Sequence, residues 1–413
     1  MSDVPVDPHA ARSRRRPSAS FAVGIIALAQ LLAVSLWFSA NGAADNLVAA
    51  WALKPSDLGW LTNAVQAGFI TGTLVLSLSG LADRHRASRI FTVCACAGAC
   101  FNGVFALAST GLATGLPLRF AVGMCLAGIY PLGMKLVVSW APERTGAALS
   151  LLVGMLTLGT ALPHGIRAAG ADWPWQAVVG TSSALALVGA AMVNRLGDGP
   201  HLRRGPVVPA RAGAVFQALQ VPAYRSAALA YFGHMWELYA FWTLVPTLVV
   251  LGGLSTPQGA GLPLWSFVIV GIGLPACLAG GWASQRFGSA RVAASAMALS
   301  AMCCALFPMA LTGGSWAAAG VLMLWGAAVV ADSPHFSALS AKACEPRIVG
   351  SALALQNAVG FAITTVSIQI GTSQVAAEGA AIAWWLLPGP LIGLMALAPL
   401  LRNQRERTAG RLS

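Results

Sequence analysis

Residues 58–89 read LGWLTNAVQAGFITGTLVLSLSGLADRHRASR. No charged side chain occurs over residues 58–79, and Asp83, Arg84, Arg86 and Arg89 then follow within a few positions. The hydrocarbon core of a bilayer is about 30 Å thick and takes roughly 20 apolar residues of helix to cross. This stretch is therefore one membrane span and the charged link that ends it. Working outward, the same alternation recurs along the chain and predicts spans at 21–40, 58–79, 90–109, 114–139, 147–168 and 175–196. A second set follows at 224–250, 262–283, 290–311, 316–340, 350–371 and 381–401. Over all 413 residues, 57% are hydrophobic and 9% charged, with a mean hydropathy of +0.72. One water-exposed globule cannot cover that much apolar surface, so the lipid bilayer is the expected solvent.

The net charge of +12 would suit nucleic acid, but its placement does not. Arg12, Arg14, Arg15 and Arg16 precede the first apolar run, and Arg402, Arg405, Arg407 and Arg411 follow the last. Others cluster in alternate links: Arg84, Arg86 and Arg89; Arg203, Arg204 and Arg211; Arg286 and Arg291; Lys342 and Arg347. The other links offer Lys54 and Arg167. That asymmetry is the positive-inside pattern, so both termini are expected in the cytoplasm of a cell with an inner (plasma) membrane of bacterial type, with no nucleic-acid partner. The eight cysteines form no CxxC pair and lie mostly in apolar runs, reading as helix-packing residues rather than metal ligands. No metal and no cofactor are expected.

The chain repeats itself. Glu143-Arg144 in the fourth link is matched by Glu345 and Arg347 in the tenth, and Asp83 in the second by Gln285 in the eighth. Both acid positions are offset by the same 202 residues (345 − 143 and 285 − 83). A duplicated six-helix unit is implied, and such halves pack around a midplane cavity and rock to give alternating access. The expected organisation is an all-α membrane protein of twelve transmembrane helices in two pseudo-symmetric six-helix bundles around a central cavity. It has an N-terminal tail over 1–20, a bundle over 21–196, a Pro- and Arg-containing linker over 197–222, a bundle over 223–401 and a tail over 402–413. A monomer is expected.

Leu81-Ala82-Asp83-Arg84 with Arg86 and Arg89 resembles the cytoplasmic signature of the major facilitator superfamily, found between its second and third helices. Ser79 stands where the first Gly of that signature is expected, Arg86 at its second Gly, and Gln285 replaces the acid in the second half. Arg119-x3-Gly123-x4-Gly128 resembles the family's second signature, and Gly154, Gly159, Pro163 and Gly165 loosely resemble the Gly-Pro signature of proton-coupled drug antiporters. The resemblance covers nearly the whole chain. It implies a conformational gate at Asp83, Arg84, Arg86 and Arg89 that clamps neighbouring helix ends, with Glu143, Arg144, Glu345 and Arg347 in the equivalent links.

Charges inside spans are costly and mark function. His234 and Glu237 lie three apart in span seven, and Asp332 and His335 three apart in span ten; this spacing puts each pair on one helical face. Glu237, about twelve residues into its span, is expected to pair with His234 or to carry a proton. His234, Asp332 and Arg119 are the other candidates for proton handling. Lys135 either binds an anionic solute or snorkels to the surface, with Tyr130, His335, Trp236 and Tyr239 as candidate cavity residues. His164 and Arg167 are either entrance residues or interfacial anchors.

A proton-coupled secondary transporter of a small organic solute, an anion by the buried positive set, is the expected function. Proton-driven drug efflux is the nearest alternative, and a non-transporting membrane sensor or scaffold the alternative of another class. No HExxH, GxSxG or GxxxxGK[ST] motif supports an enzyme. Reporter fusions after residues 205 and 405 are expected on one side of the membrane and a fusion after residue 50 on the other; opposite signals at 205 and 405 would break the repeat.

Overall fold

The computed structural model describes residues 17–170, 172–202, 217–345 and 348–409. Among them there is helix and connecting turn but no strand. The helices are α1 (Ala19–Val34), α2 (Pro55–Ser79), α3 (Ala87–Ala108), α4 (Leu112–Leu126), α5 (Tyr130–Trp140), α6 (Thr145–Ala169) and α7 (Trp175–Leu196). After the linker come α8 (Pro222–Leu251), α9 (Gly261–Gly271), α10 (Gly273–Phe287), α11 (Ser289–Ala310), α12 (Ser315–Ala331), α13 (Ser333–Ala343), α14 (Val349–Glu378) and α15 (Pro388–Ala409). Nine helical stretches among the described residues are long and apolar enough to cross a membrane.

Local chemistry sets the helix ends. Pro55 opens α2, where its missing N–H is no loss, and Asp57 accepts from the Lys54 N–H at 2.9 Å. Gly80 ends it at φ 65°, a left-handed turn suited to glycine. The span expected at 175–196 coincides with α7. Three other expected spans are split near their middles, 114–139 into α4 and α5, 262–283 into α9 and α10, and 316–340 into α12 and α13, while 21–40 breaks after Val34 and 381–401 at Leu387. Pro131 and Pro334 each stand within the first two residues of the second piece, because proline has no N–H to continue the helix before it. The expected span 350–371 was too short; α14 runs on to Glu378.

Two helix pairs recur at close to the spacing of the sequence repeat. Helices α3 and α11 each have 22 residues, with starts offset by 202 (289 − 87). Helices α5 and α13 each have 11, offset by 203 (333 − 130). Contacts between the two sequence halves run along α2 with α14 and along α6 with α9 and α10. Glycines allow the close approaches, as expected where helices pack in lipid. Gly154 faces Leu274 and Gly273 faces Thr157 across the second of these contacts.

Within the first half, α2 and α4 are in mutual backbone contact: Gly68 lies against Phe120 and Met124, and Gly123 against the Val65 carbonyl. A side chain at Gly123 meets backbone that cannot move aside. Overpacking of this kind costs typically ~1–3 kcal/mol. Gly123→Leu is therefore expected to lower the melting temperature in detergent markedly. Gly103→Leu, at a position with nothing within 4 Å, should leave it unchanged or raised.

Candidate solute cavity

The turns after α1 place two aromatic residues at the centre of the molecule. The chain leaves α1 at Val34 and resumes helix at Ser39; Trp37 and Phe38 project from the non-helical residues between. Trp37 stacks on Phe361 of α14 at 5.6 Å between centroids and lies 4.8 Å from Phe69 of α2 and 5.5 Å from Tyr239 of α8. Phe38 meets Trp242 of α8 edge-on at 6.2 Å, and Tyr239 lies 5.1 Å from Trp242. These six rings draw on both sequence halves. Their spacings are those of favourable offset and edge contacts.

A cavity of about 40 Å³ adjoins the rings, lined by Tyr130, Met134, Tyr239, Trp242, Ser333 and Asn357 among others. It has room for a few waters. Met134, Ser337 and Asn357 also line a wide vestibule of about 1120 Å³, which extends past Lys135, Ser139 and His201 toward the face carrying the basic links. On the opposite face a recess of about 350 Å³ is lined by Asp45, Thr243, Gln258 and Thr372. There Asn63 of α2 donates to the Thr365 carbonyl of α14 at 3.0 Å. The rings thus stand between a wide vestibule and a narrow recess. The indole N–H of Trp242, which is 1% exposed, has no acceptor among the described residues.

Several expected partnerships are replaced by others. Glu237 does not pair with His234. Its Oε1 accepts from Ser300 Oγ and Trp325 Nε1 at 2.6 Å each and from Cys304 Sγ at 3.2 Å, because its face of α8 turns toward α11 and α12. His234 instead stands 2.9 Å from Asp332, Nδ1 to Oδ1, with Ser333 Oγ 2.9 Å from its Nε2. Asp332 and His335 therefore do not form the pair that their spacing suggested, since the break at Asp332 alters the register between them. His335 packs beside Gly280 of α10 and is absent from the central cavity's lining. Trp236 is not a cavity wall either; its indole donates to the Trp385 carbonyl on the outside of α8 at 2.9 Å. Tyr130 and Tyr239 do line the cavity.

Lys135 reaches the basic face rather than the cavity. Its Nζ lies 2.8 Å from Asp83 Oδ1 and 2.6 Å from the Ala82 carbonyl. Of the gate expected at Asp83, Arg84, Arg86 and Arg89, Asp83 holds Lys135 of a neighbouring helix, while Arg84, Arg86 and Arg89 are exposed. Glu143 and Arg144 are exposed and line a separate recess beside α1. Glu345 is exposed, and Arg347 lies outside the described residues. Arg167 is an anchor, forked onto Asp45 at 2.8 and 3.1 Å, a partner the sequence reading missed.

The fully buried Arg119 touches no carboxylate among the described residues. It donates to Leu36 O at 3.2 Å, Ser39 Oγ at 3.0 Å, Asn102 Oδ1 at 2.9 Å and Trp37 O. It holds the turn that presents Trp37 and Phe38.

The Major Facilitator Superfamily profile matches residues 26–367. The chain belongs to this superfamily. It is similar to the 3-(3-hydroxyphenyl)propionate transporter of Escherichia coli (strain K12), 27% identical over 264 residues that cover 60% of this chain and 63% of that one. A Bacillus subtilis (strain 168) protein, whose name gives niacin/nicotinamide transport as a provisional role, is 30% identical over 110 residues. Those cover 26% of this chain and 27% of that one, so the chain spans less than two thirds of either relative. Among solved structures, a bacterial homologue of the human lysosomal transporter Spinster, in an inward-facing and unoccupied conformation, superposes with a TM-score of 0.66 at 14% identity. The match covers 94% of this chain and 95% of that one, a likeness of fold.

Removing the Arg119 donors leaves the Trp37 carbonyl without that partner and the Leu36 carbonyl and Asn102 Oδ1 to share the one hydroxyl hydrogen of Ser39, at about 1–3 kcal/mol for each buried acceptor left unpaired. Arg119→Met is expected to lose most folded protein in size-exclusion profiles. Arg119→Lys, with an ammonium that cannot fork across the turn, should retain an intermediate share.

Proposed function

We propose that this multi-pass membrane protein is a secondary active transporter carrying a small ring-bearing carboxylate by alternating access, together with a proton. The observation behind this reading is the aromatic cluster drawn from both halves, with the unpaired N–H of Trp242, beside a vestibule of about 1120 Å³. Aromatic faces hold a ring, and a buried donor without an acceptor favours a solute that brings one. The names of the two relatives, a hydroxyphenylpropionate and a niacin/nicotinamide transporter, agree with a ring-bearing acid. Lys135 is engaged by Asp83, so the carboxylate is recognised by N–H and O–H donors rather than by a lysine. Glu237, enclosed by three donors, serves the packing of α8, and the proton role passes to His234 and Asp332.

The architecture we assign is twelve spans in two six-helix bundles, 21–196 and 223–401. Of the nine candidate stretches, the one over 352–402 contains α14 and most of α15. Counting these as two spans gives ten, and α1 and α8 bring the number to twelve. The basic face is cytoplasmic and carries both termini, in a cell inner membrane. The vestibule then opens inward, and rocking of the halves exchanges it for an outward opening at the recess beside Asp45. The protein works as a monomer in this scheme, since the cage is complete within one chain.

Thermal-shift screening of the purified protein tests this with ring-bearing carboxylates, their amides and cationic amines, because any bound ligand stabilises the fold by mass action. Uptake of each hit into proteoliposomes follows. Carboxylates should stabilise the protein most, and Phe361→Ala should raise their KM about 2- to 10-fold, from ring contacts worth about 0.5–1.5 kcal/mol. Stabilisation by amines alone would instead support cation export.

A further inference from the structure

At the break between α12 and α13, three side chains form a line leading away from the central cavity. Ser333 lines that cavity, whereas His234 and Asp332 do not. Ser333 Oγ lies 2.9 Å from His234 Nε2, and His234 Nδ1 lies 2.9 Å from Asp332 Oδ1. His234 and Asp332 are 1% and 2% exposed. Neither Nδ1 nor Oδ1 has another hydrogen-bond partner among the described residues, so each is left to the other.

We infer that Ser333, His234 and Asp332 act as a hydrogen-bond switch that makes carboxylate binding in the central cavity depend on one proton. The inference rests on the transport reading above. A serine hydroxyl has one hydrogen and two lone pairs, and its hydrogen rotates to suit its neighbours. With His234 neutral and its N–H on Nδ1 toward Asp332, Nε2 is an acceptor. Ser333 then gives its one hydrogen to His234 and presents oxygen lone pairs to the cavity, which repel a carboxylate. A proton added at Nε2 reverses the arrangement. The Nε2–H donates to Ser333 Oγ, and the hydroxyl hydrogen is released to the cavity, where it donates to the carboxylate.

Asp332 has two functions in this switch: it fixes the ring through Nδ1 and neutralises the imidazolium. Each loading event then brings in one negative solute and one proton, so no net charge is added to the low-dielectric interior, where an unpaired charge is costly. The one bond made and broken is Nε2–H: the Nε2 lone pair takes a proton on one side of the membrane and gives it back to water on the other.

The other groups near the pair do not replace it. Tyr231 on α8 lies 6.2 Å from the His234 ring and Phe336 on α13 lies 5.4 Å from it. Cys277 of α10 is within electrostatic reach of Asp332 and donates to the Val330 carbonyl. Glu237, within electrostatic reach of Asp332 on α8, is held by Ser300, Cys304 and Trp325. His335 follows on α13 beside Gly280. From the first half, Tyr130 of α5 faces Tyr231 and Cys277. Of these groups and Ser333, Ser333 is the one hydrogen-bonded to His234.

The probe is 3-phenylpropionate, its binding to the purified full-length protein measured by calorimetry between about pH 6 and 8, where a carboxylate of ordinary pKa stays ionised. In the wild type one linked proton should weaken binding by up to about tenfold per pH unit as pH rises. Ser333→Ala should flatten that slope and weaken binding roughly tenfold at the acid end, from the lost hydrogen bond to a charged group. Ser333→Thr, which keeps the hydroxyl, should restore the slope, and His234→Gln should abolish it. A merely structural defect would weaken binding equally at every pH. Binding that is independent of pH, or a pH slope that survives Ser333→Ala, overturns the switch alone. A wild-type protein that binds no ring-bearing carboxylate sinks the solute class proposed above, and the switch with it.

Discussion

Inside a bilayer no water is available to a main-chain carbonyl that has lost its helical partner, and much of this structure follows from that constraint. The chain departs from helix after Val34, and the Leu36 and Trp37 carbonyls there are met by the guanidinium of Arg119. Arginine suits the task because its planar fork offers five donors in fixed directions. Ser39 and Asn102 take up further donors, and Asn102 in turn ties α3 to α7 through Val179 O and Ser183 Oγ. A residue that reads as an isolated buried charge is therefore the centre of a network of uncharged acceptors that orients Trp37 and Phe38.

The same constraint governs the breaks at residues 127–129 and at Asp332. In each case a new helix restarts on a proline one repeat apart, and the break turns a side chain away from its helical register. At Asp332 the result is a carboxylate beside a histidine of α8, with the next residue facing the cavity. Close packing elsewhere makes such breaks affordable to the fold. Gly68 and Gly123 let α2 and α4 touch by main chain, and Gly154 and Gly273 make room for the side chains of Leu274 and Thr157 between the halves.

Much of this was legible beforehand. The apolar runs, the Asp83 link, the offset of about one repeat and the depth of Arg119, Glu237, His234 and Asp332 were all visible as patterns along the chain, since hydropathy and charge are local properties. Helix ends were less legible where a proline or a capping residue lay outside the apolar run, as at Pro55 and in the split spans. Partner choice was not legible. Helical spacing suggested Glu237 with His234 and Asp332 with His335, yet neither pair forms, because spacing within one helix says nothing about which neighbour each face meets. Lys135 could be read either as an anion ligand or as snorkelling to the surface, and only the structure shows its flexible stem carrying the charge to Asp83. Asp45, Ser300, Trp325 and Phe361 carried no signal, being ordinary residues in ordinary places.

By itself, then, the sequence determined that the chain lives in a membrane, that it is helical, that its basic residues gather in alternate links, and which few ionisable groups must find company in the interior. These follow from transfer free energies and from where charge falls along the chain, neither of which needs a third dimension. Tertiary structure alone decided which of those groups meet, that the aromatic rings of both halves converge at one centre, and that Ser333 stands between His234 and the cavity. Such contacts join residues far apart in the chain, and their geometry is set by where packed helices cross and break.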